Sequence, residues 1–242
     1  MTKKTLYIHI GTHKTGTTAI QSVFEQDSAK MARQTGVQYI PFPNKAKGVQ
    51  GDRIKAISAL ADDIAEIDSA SKLFVSFEGF CGHYFYVGER AVFEKQFYQA
   101  SGLIAQELAE RLAPLSINIK IILCIRRQDE FLESAYKQTI HSGGYSSIEE
   151  YLATMNLGED FRWDHLAESY ASVFGQNNVS IINYDVESKS LGLLNSLGKI
   201  LGAELMASAA PRKNVSYSAR IVEFAKEVNP YLTELQKRKL RL

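Results

Sequence analysis

The chain reads as an α/β protein built on a parallel β-sheet with helices on both faces. Three observations give that class. Short β-prone runs alternate with stretches of helical period along the chain. One run, 117–125, is almost continuously apolar, as in the middle of a sheet covered on both sides. The first strand also runs straight into a Gly- and Thr-rich turn that opens a helix. With 242 residues and no linker, repeat or low-complexity tract, one domain spanning 1–242 is the simplest organisation.

The elements follow in order. Residues 5–10 (TLYIHI) form the first strand. The apolar spacing of Ala19, Ile20, Val23 and Phe24 marks a helix from about Thr17. Residues 37–40 are a short strand, stopped by Pro41 and Pro43, and 44–52 read as a loop. A helix over 53–67 carries Ile54, Ile57, Leu60, Ala61 and Ile64 in register. Residues 73–77 (LFVSF) are a buried strand, and 90–112 a long helical region ended by Pro114. The strand 117–125 comes next. Helices are expected near 130–141, 148–155 and 164–174, a fifth strand at 179–184, and a helix at 191–201. A polar loop (APRKNVSYS) precedes terminal helices from about 219, broken at Pro230.

Composition narrows the function. Lys plus Arg is 28 and Asp plus Glu is 27, a net charge of +1, with 45% hydrophobic and 23% charged residues. A disordered chain needs few apolar residues and a large net charge. A nucleic-acid partner is not expected without a basic excess. No apolar run reaches a membrane span, so no integral membrane segment is expected. The N-terminus lacks the long apolar region of a signal peptide. Cys81 and Cys124 are too few and too far apart for a disulfide framework or zinc site. Both read as buried thiols, and a cytoplasmic location fits. The five histidines show no metal-ligand spacing, so no metal is expected.

The most informative segment is 11–18, GTHKTGTT, between first strand and first helix. Gly11 and Gly16 let the backbone turn tightly and approach a ligand. The amides of an opening helix favour an anion. Lys14 adds a full positive charge, and Thr15, Thr17 and Thr18 add hydroxyls; Thr12 and His13 lie inside the same turn and are cofactor-binding candidates with it. Together they describe an anion nest. Two other readings stay open on these residues alone. One is a plain turn with a solvated lysine. The other is a P-loop kinase or nucleotide hydrolase using ATP or GTP with Mg²⁺. Its loop, however, puts the lysine after the second glycine, whereas Lys14 precedes Gly16. The apolar strand ends in Arg126 and Arg127 rather than an aspartate, although LFVSF is followed by Glu78.

These residues resemble a family. The stretch HIGTHKTGTTAIQ is similar to the 5′-phosphosulfate loop of sulfotransferases that use 3′-phosphoadenosine 5′-phosphosulfate (PAPS). That loop has the form K-[ST]-G-T-[TS], matched here by Lys14, Thr15, Gly16, Thr17 and Thr18. A second motif resembles the family's 3′-phosphate pair, an Arg ending an apolar strand and a Ser eight positions on: Arg126 and Ser134. Arg127 and Gln128 stand where heparan-type members usually have Asp-Pro. The stretch FEGFCGHYF is similar to the motif F-E-K-[ST]-x-x-Y-F, which carries the general-base glutamate of heparan-type members. Here Glu78 matches, Gly79 replaces the Lys, and His83 is a backup base. The late loop PRKNVSYS resembles the basic loop that closes over the nucleotide, with Arg212, Lys213, Asn214 and Ser216 as candidates.

The resemblance spans residues 11–216 and is nearest to bacterial sulfotransferase-like proteins. It implies a P-loop NTPase-like three-layer sandwich and PAPS as cofactor, with 3′-phosphoadenosine 5′-phosphate (PAP) as product. It also implies transfer to a hydroxyl of a small molecule or glycan, with Glu78 as base and Lys14 stabilising the leaving phosphate. A protein that kept the site but lost activity would bind PAP without turnover. Residues 79–90, with Tyr136, Lys137 and Trp163, are candidates for an acceptor wall. Neither the acceptor nor the oligomeric state is set by the sequence.

Overall fold

The computed structural model describes residues 3–26, 28–42, 53–67, 70–82, 99–153, 161–187, 192–205, 218–233 and 236. In chain order the elements are β1 (Thr5–Gly11), α1 (Thr17–Gln26), α2 (Ser28–Thr35), β2 (Val37–Ile40), α3 (Arg53–Ala65) and β3 (Lys72–Ser76). Then come α4 (Gln99–Leu112), β4 (Asn118–Ile125), α5 (Gln128–His141), α6 (Ile148–Ala153) and α7 (Trp163–Phe174). Last are β5 (Val179–Asn183), α8 (Tyr184–Glu187), α9 (Gly192–Leu201) and α10 (Ala219–Val228). The five expected strands are present and form one sheet, ordered β2-β3-β1-β4-β5, with every pair parallel. Two short helices, α2 and α8, were not expected from the sequence. None of the residues of α2 is buried, so its sequence carries no apolar stripe to reveal it.

These residues fall into two compact units. The first comprises Met1–Gly82, Gln99–Arg126 and Trp163–Lys213 and holds the whole sheet. Its strands read as near-continuous apolar runs because both faces are covered. On one face Tyr7, Phe74, Ile122, Cys124 and Ile182 pack with Ile20 and Phe24 of α1 and Leu193, Leu197 and Leu201 of α9. The Phe24 and Phe74 ring centroids are 4.6 Å apart. The opposite pleat buries Leu6, Ile8, Val75, Ile121 and Leu123. There α7 packs on β4, α4 on α7, and α3 on α4. The layering is thus helix, sheet, helix.

The second unit comprises His83–Tyr98, Arg127–Arg162 and Asn214–Leu242. In it α10 packs on α5. Ser147 and Glu150 cap α6 reciprocally, each side chain bonding the other's backbone N–H at 3.1 and 2.8 Å. Buried Asn229 donates from Nδ2 to the carbonyls of Ile140 and Gly144 at 2.9 and 2.7 Å, closing the turn after α5.

The topology places the site. From β1 the chain runs to the edge strand β2, returns to β3 beside β1, then crosses to β4 on the other side. The carboxyl ends of β1, β3 and β4 therefore flank a point where connections diverge, the usual ligand crevice of an open parallel sheet.

Candidate active site

The turn after β1 is held on both sides. Thr12 N donates to Cys124 O at 2.6 Å, pinning the turn to the end of β4. On the β3 side Phe77 N donates to His9 O at 2.9 Å. Gly11 has φ 94°, and a Cβ there would lie 3.4 Å from the Glu78 Cα, so the turn and the β3 end meet backbone to backbone. Gly16 has φ 79°, and a Cβ there would come within 2.9 Å of Leu193 and Tyr184 side-chain atoms. Its carbonyl accepts from Ala19 N and Ile20 N, at 2.9 and 3.2 Å, starting α1. The hydroxyl of Thr15 donates to Thr12 O inside the turn. Thr17 is buried on the first turn of α1, and Thr18 is exposed beside it.

Lys14 sits at the tip in the left-handed region, φ 62°, a conformation rare for a lysine. Burial holds its ammonium below the usual lysine range; neighbouring Glu78 opposes that shift and Arg126 adds to it. Glu78 begins a short 3₁₀ turn, Glu78–Cys81, directly after β3. Its side chain keeps 31% of its surface exposed. Even so, the surrounding protein pushes the carboxyl above its ordinary range, while the Thr17 hydroxyl and Lys14 pull it back. His13, almost fully buried, brings Nε2 to 3.8 Å from Glu78 Oε2. Lys14, His13, Thr17 and Glu78 thus form one cluster at the adjoining ends of β1 and β3.

Arg126 closes the other side. It leaves β4 with Trp163 Nε1 donating to its carbonyl at 2.7 Å. Its Nη1 donates to Lys14 O at 3.3 Å, its Nε lies 3.3 Å from Asp185 Oδ1, and its guanidinium lies 5.3 Å from the Tyr184 ring centroid. Arg126 is therefore tied to the same turn as Lys14. Ser134 lies half-buried on α5, in the second unit. Arg212 and Asn214, with the rest of the late loop 211–217, lie outside the described residues, as do His83 and the aromatic stretch 83–90.

The structure gives physical reasons for several local sequence choices. At Gly79 a Cβ would lie 2.3 Å from the Phe77 ring, so a side chain there would require that ring to move. Arg127 pairs with Asp129 at the surface, their charged atoms 2.5 Å apart. Tyr136 is buried with its hydroxyl donating to Ser146 O at 3.0 Å, and Trp163 is committed to Arg126 O. Both are core residues with a satisfied polar end. Both cysteines are buried; Cys81 donates to Ile10 O at 2.7 Å, and burial pushes Cys124 up to about 12.

Residues that sequence reading passed over support the turn from below. His9 places Nδ1 2.8 Å from Ser76 Oγ and Nε2 3.2 Å from Cys124 Sγ, bridging β3, β1 and β4. Gln21 Nε2 donates to Ser76 O at 3.1 Å, tying α1 to the same strand end. Full burial drops the His9 imidazole from 6.5 to about 4, so it is neutral at pH 7. The unfolded chain takes up a proton near 6.5 that the folded chain refuses until about 4. Stability should therefore fall as pH drops through this window, by on the order of 3 kcal/mol. His9→Gln is expected to flatten that acid limb in urea unfolding at pH 7 and 4.5. An unaltered limb would assign the loss to other groups.

No protein-family profile matches the chain, and no curated protein gives a significant sequence match. Among solved structures the chain is similar to a sulfotransferase from Alicyclobacillus acidocaldarius, at 13% identity and a TM-score of 0.54. That likeness covers 89% of this chain and 87% of that one. A second match, polyphosphate kinase 2 from Arthrobacter aurescens TC1, has 14% identity and a TM-score of 0.34 over 88% and 74% of the two chains. The first likeness is one of fold: an α/β, P-loop-like sandwich of the kind that sulfotransferase has. The second is too weak to add to it. No described helix is long and apolar enough to cross a membrane.

Proposed function

We propose that this chain moves a sulfuryl group from PAPS to a substrate hydroxyl, as of a carbohydrate or glycolipid. One observation carries the reading: the β1–α1 turn that bears Lys14 meets Glu78 backbone to backbone after β3 and takes a hydrogen bond from Arg126 at the end of β4. That is a cation for a leaving phosphate, a carboxylate for a proton and a second cation for a further phosphate, on three adjacent strands.

The donor set fits a phosphosulfate. Thr12 Oγ1 is buried with no hydrogen-bond partner, an arrangement that costs free energy unless a ligand group meets it. The turn leads directly into the N-terminal end of α1, which favours anions. Gly11, Thr12, His13, Lys14, Thr15, Gly16, Thr17 and Thr18 would hold the 5′ end, and Arg126 with Ser134 the 3′-phosphate. PAPS supplies an activated sulfuryl group on a phosphate leaving group. Glu78 would take the acceptor's hydroxyl proton, and its raised proton affinity brings it nearer the working pH of a base. Lys14 would stabilise charge left on the departing phosphate oxygen. Arg212 and Asn214 are proposed as further ligands of the nucleotide.

The direct test is PAP formation from PAPS with and without a panel of sugar, glycolipid and phenol acceptors. Acceptor-dependent PAP release is expected; none with any hydroxyl acceptor, despite tight PAP binding, would mark a binding protein. Arg126→Ala should weaken PAP binding by roughly 1.5–3 kcal/mol, the typical worth of a charge-assisted hydrogen bond. An unchanged dissociation constant in calorimetry would remove Arg126 from the 3′-phosphate.

A further inference from the structure

We infer that Asp185 is a positioning residue that sets the affinity of the site for the phosphate taken by Arg126. The inference rests on the reading above of Arg126 as the 3′-phosphate ligand. The last residue of β5, Asn183, stands in register with Ile125, the residue before Arg126. Asn183 Oδ1 accepts from Asp185 N at 3.1 Å and Val186 N at 3.4 Å, which turns the chain into α8. That turn brings Asp185 Oδ1 to 3.3 Å from Arg126 Nε, with the two side chains only 19% and 18% exposed.

Several contacts then hold one guanidinium. The Asp185 carboxylate lies as an ion pair 3.3 Å from Nε, Nη1 donates to Lys14 O, and the Tyr184 ring lies against the group. The same Tyr184 ring sits so close to Gly16 that a Cβ there would collide with it. The pair Tyr184–Asp185 therefore locks Arg126 against the anion turn itself. An arginine side chain has several rotatable bonds, and ordering it only when ligand arrives would weaken binding. Asp185 has a second, opposite effect, because its charge repels an incoming phosphate. Asparagine separates the two: it keeps the shape and an oxygen beside Nε and loses the charge.

The test is calorimetric binding of PAP and of adenosine 5′-phosphate, which lacks the 3′-phosphate, to wild type, Asp185→Ala and Asp185→Asn. Asp185→Ala is expected to weaken PAP about three- to tenfold, the cost of ordering one long side chain on binding. Asp185→Asn should bind PAP as tightly as wild type or tighter, and adenosine 5′-phosphate should be indifferent to both changes. Equal losses for both nucleotides would mean a merely structural role and overturn the inference. So would PAP binding to Asp185→Ala as tight as wild type, which would make the carboxylate a competitor of phosphate. If wild type binds PAP no tighter than adenosine 5′-phosphate, the reading of Arg126 fails, and the role of Asp185 fails with it.

Discussion

Lys14→Ala is expected to lower sulfuryl transfer by about 10²–10³-fold, the usual loss when one preorganised group facing developing charge is removed. The fold should survive. Lys14 is a residue of a turn, its φ of 62° is one a side chain adopts at a cost, and burial disfavours its charge. Each of these makes the wild-type lysine a local liability. Lys14→Gly, which relieves the backbone strain, should therefore unfold at a temperature no lower than wild type while transferring no faster than Lys14→Ala. Turnover and thermal unfolding measured on both variants check this. Full turnover in either would take the lysine out of the chemistry.

Glu78→Gln should lower turnover by about 10²–10⁴-fold, the range for a positioned general base. PAP affinity should change far less, since the amide keeps the shape and removes a negative charge. Stability gives an independent reading of the same residue. Burial raises the folded-state proton affinity of Glu78 above its ordinary value. Between the two values the folded chain holds a proton that the unfolded chain has lost, so wild-type stability declines as pH rises through that window. Above that window the full cost is present, and Glu78→Gln, which has no charge to desolvate, should unfold there at a higher temperature. The advantage should vanish at a pH below the ordinary carboxylate range, where both side chains are neutral. A variant less stable above that window, with turnover retained, would make Glu78 a structural residue.

Some of this was legible in the sequence. The turn 11–18 stood out because glycine, lysine and hydroxyl residues interrupt an apolar strand, and Arg126 because it ends the most apolar run. Their juxtaposition follows from parallel strands ordered β3-β1-β4, which puts all three strand ends at one edge. What was missed depends on partners far apart in the chain. Nothing in the β1 sequence marks a role for His9, yet its two nitrogens meet Ser76 and Cys124. Asp185 sits in a four-residue helix with no periodicity to read, and its partner Arg126 is on another strand end. Gly79 read as a missing lysine, whereas in the fold a side chain there would meet the Phe77 ring. Tyr136 and Trp163 were read as acceptor-wall candidates from their aromatic character; burial makes them core. Aromatic residues serve both roles, and only burial separates them.

The measurement that tests the central claim most directly is thermal unfolding with PAP in EDTA, set beside ATP with Mg²⁺. A ligand at about 100 times its dissociation constant stabilises by about 2.7 kcal/mol. In a chain of this size that raises Tm by roughly 5–10 °C. The expected result is such a rise with PAP in EDTA, reduced by Arg126→Ala. A rise only with ATP and Mg²⁺ would contradict the account: Lys14 and Glu78 would then belong to a phosphoryl-transfer site.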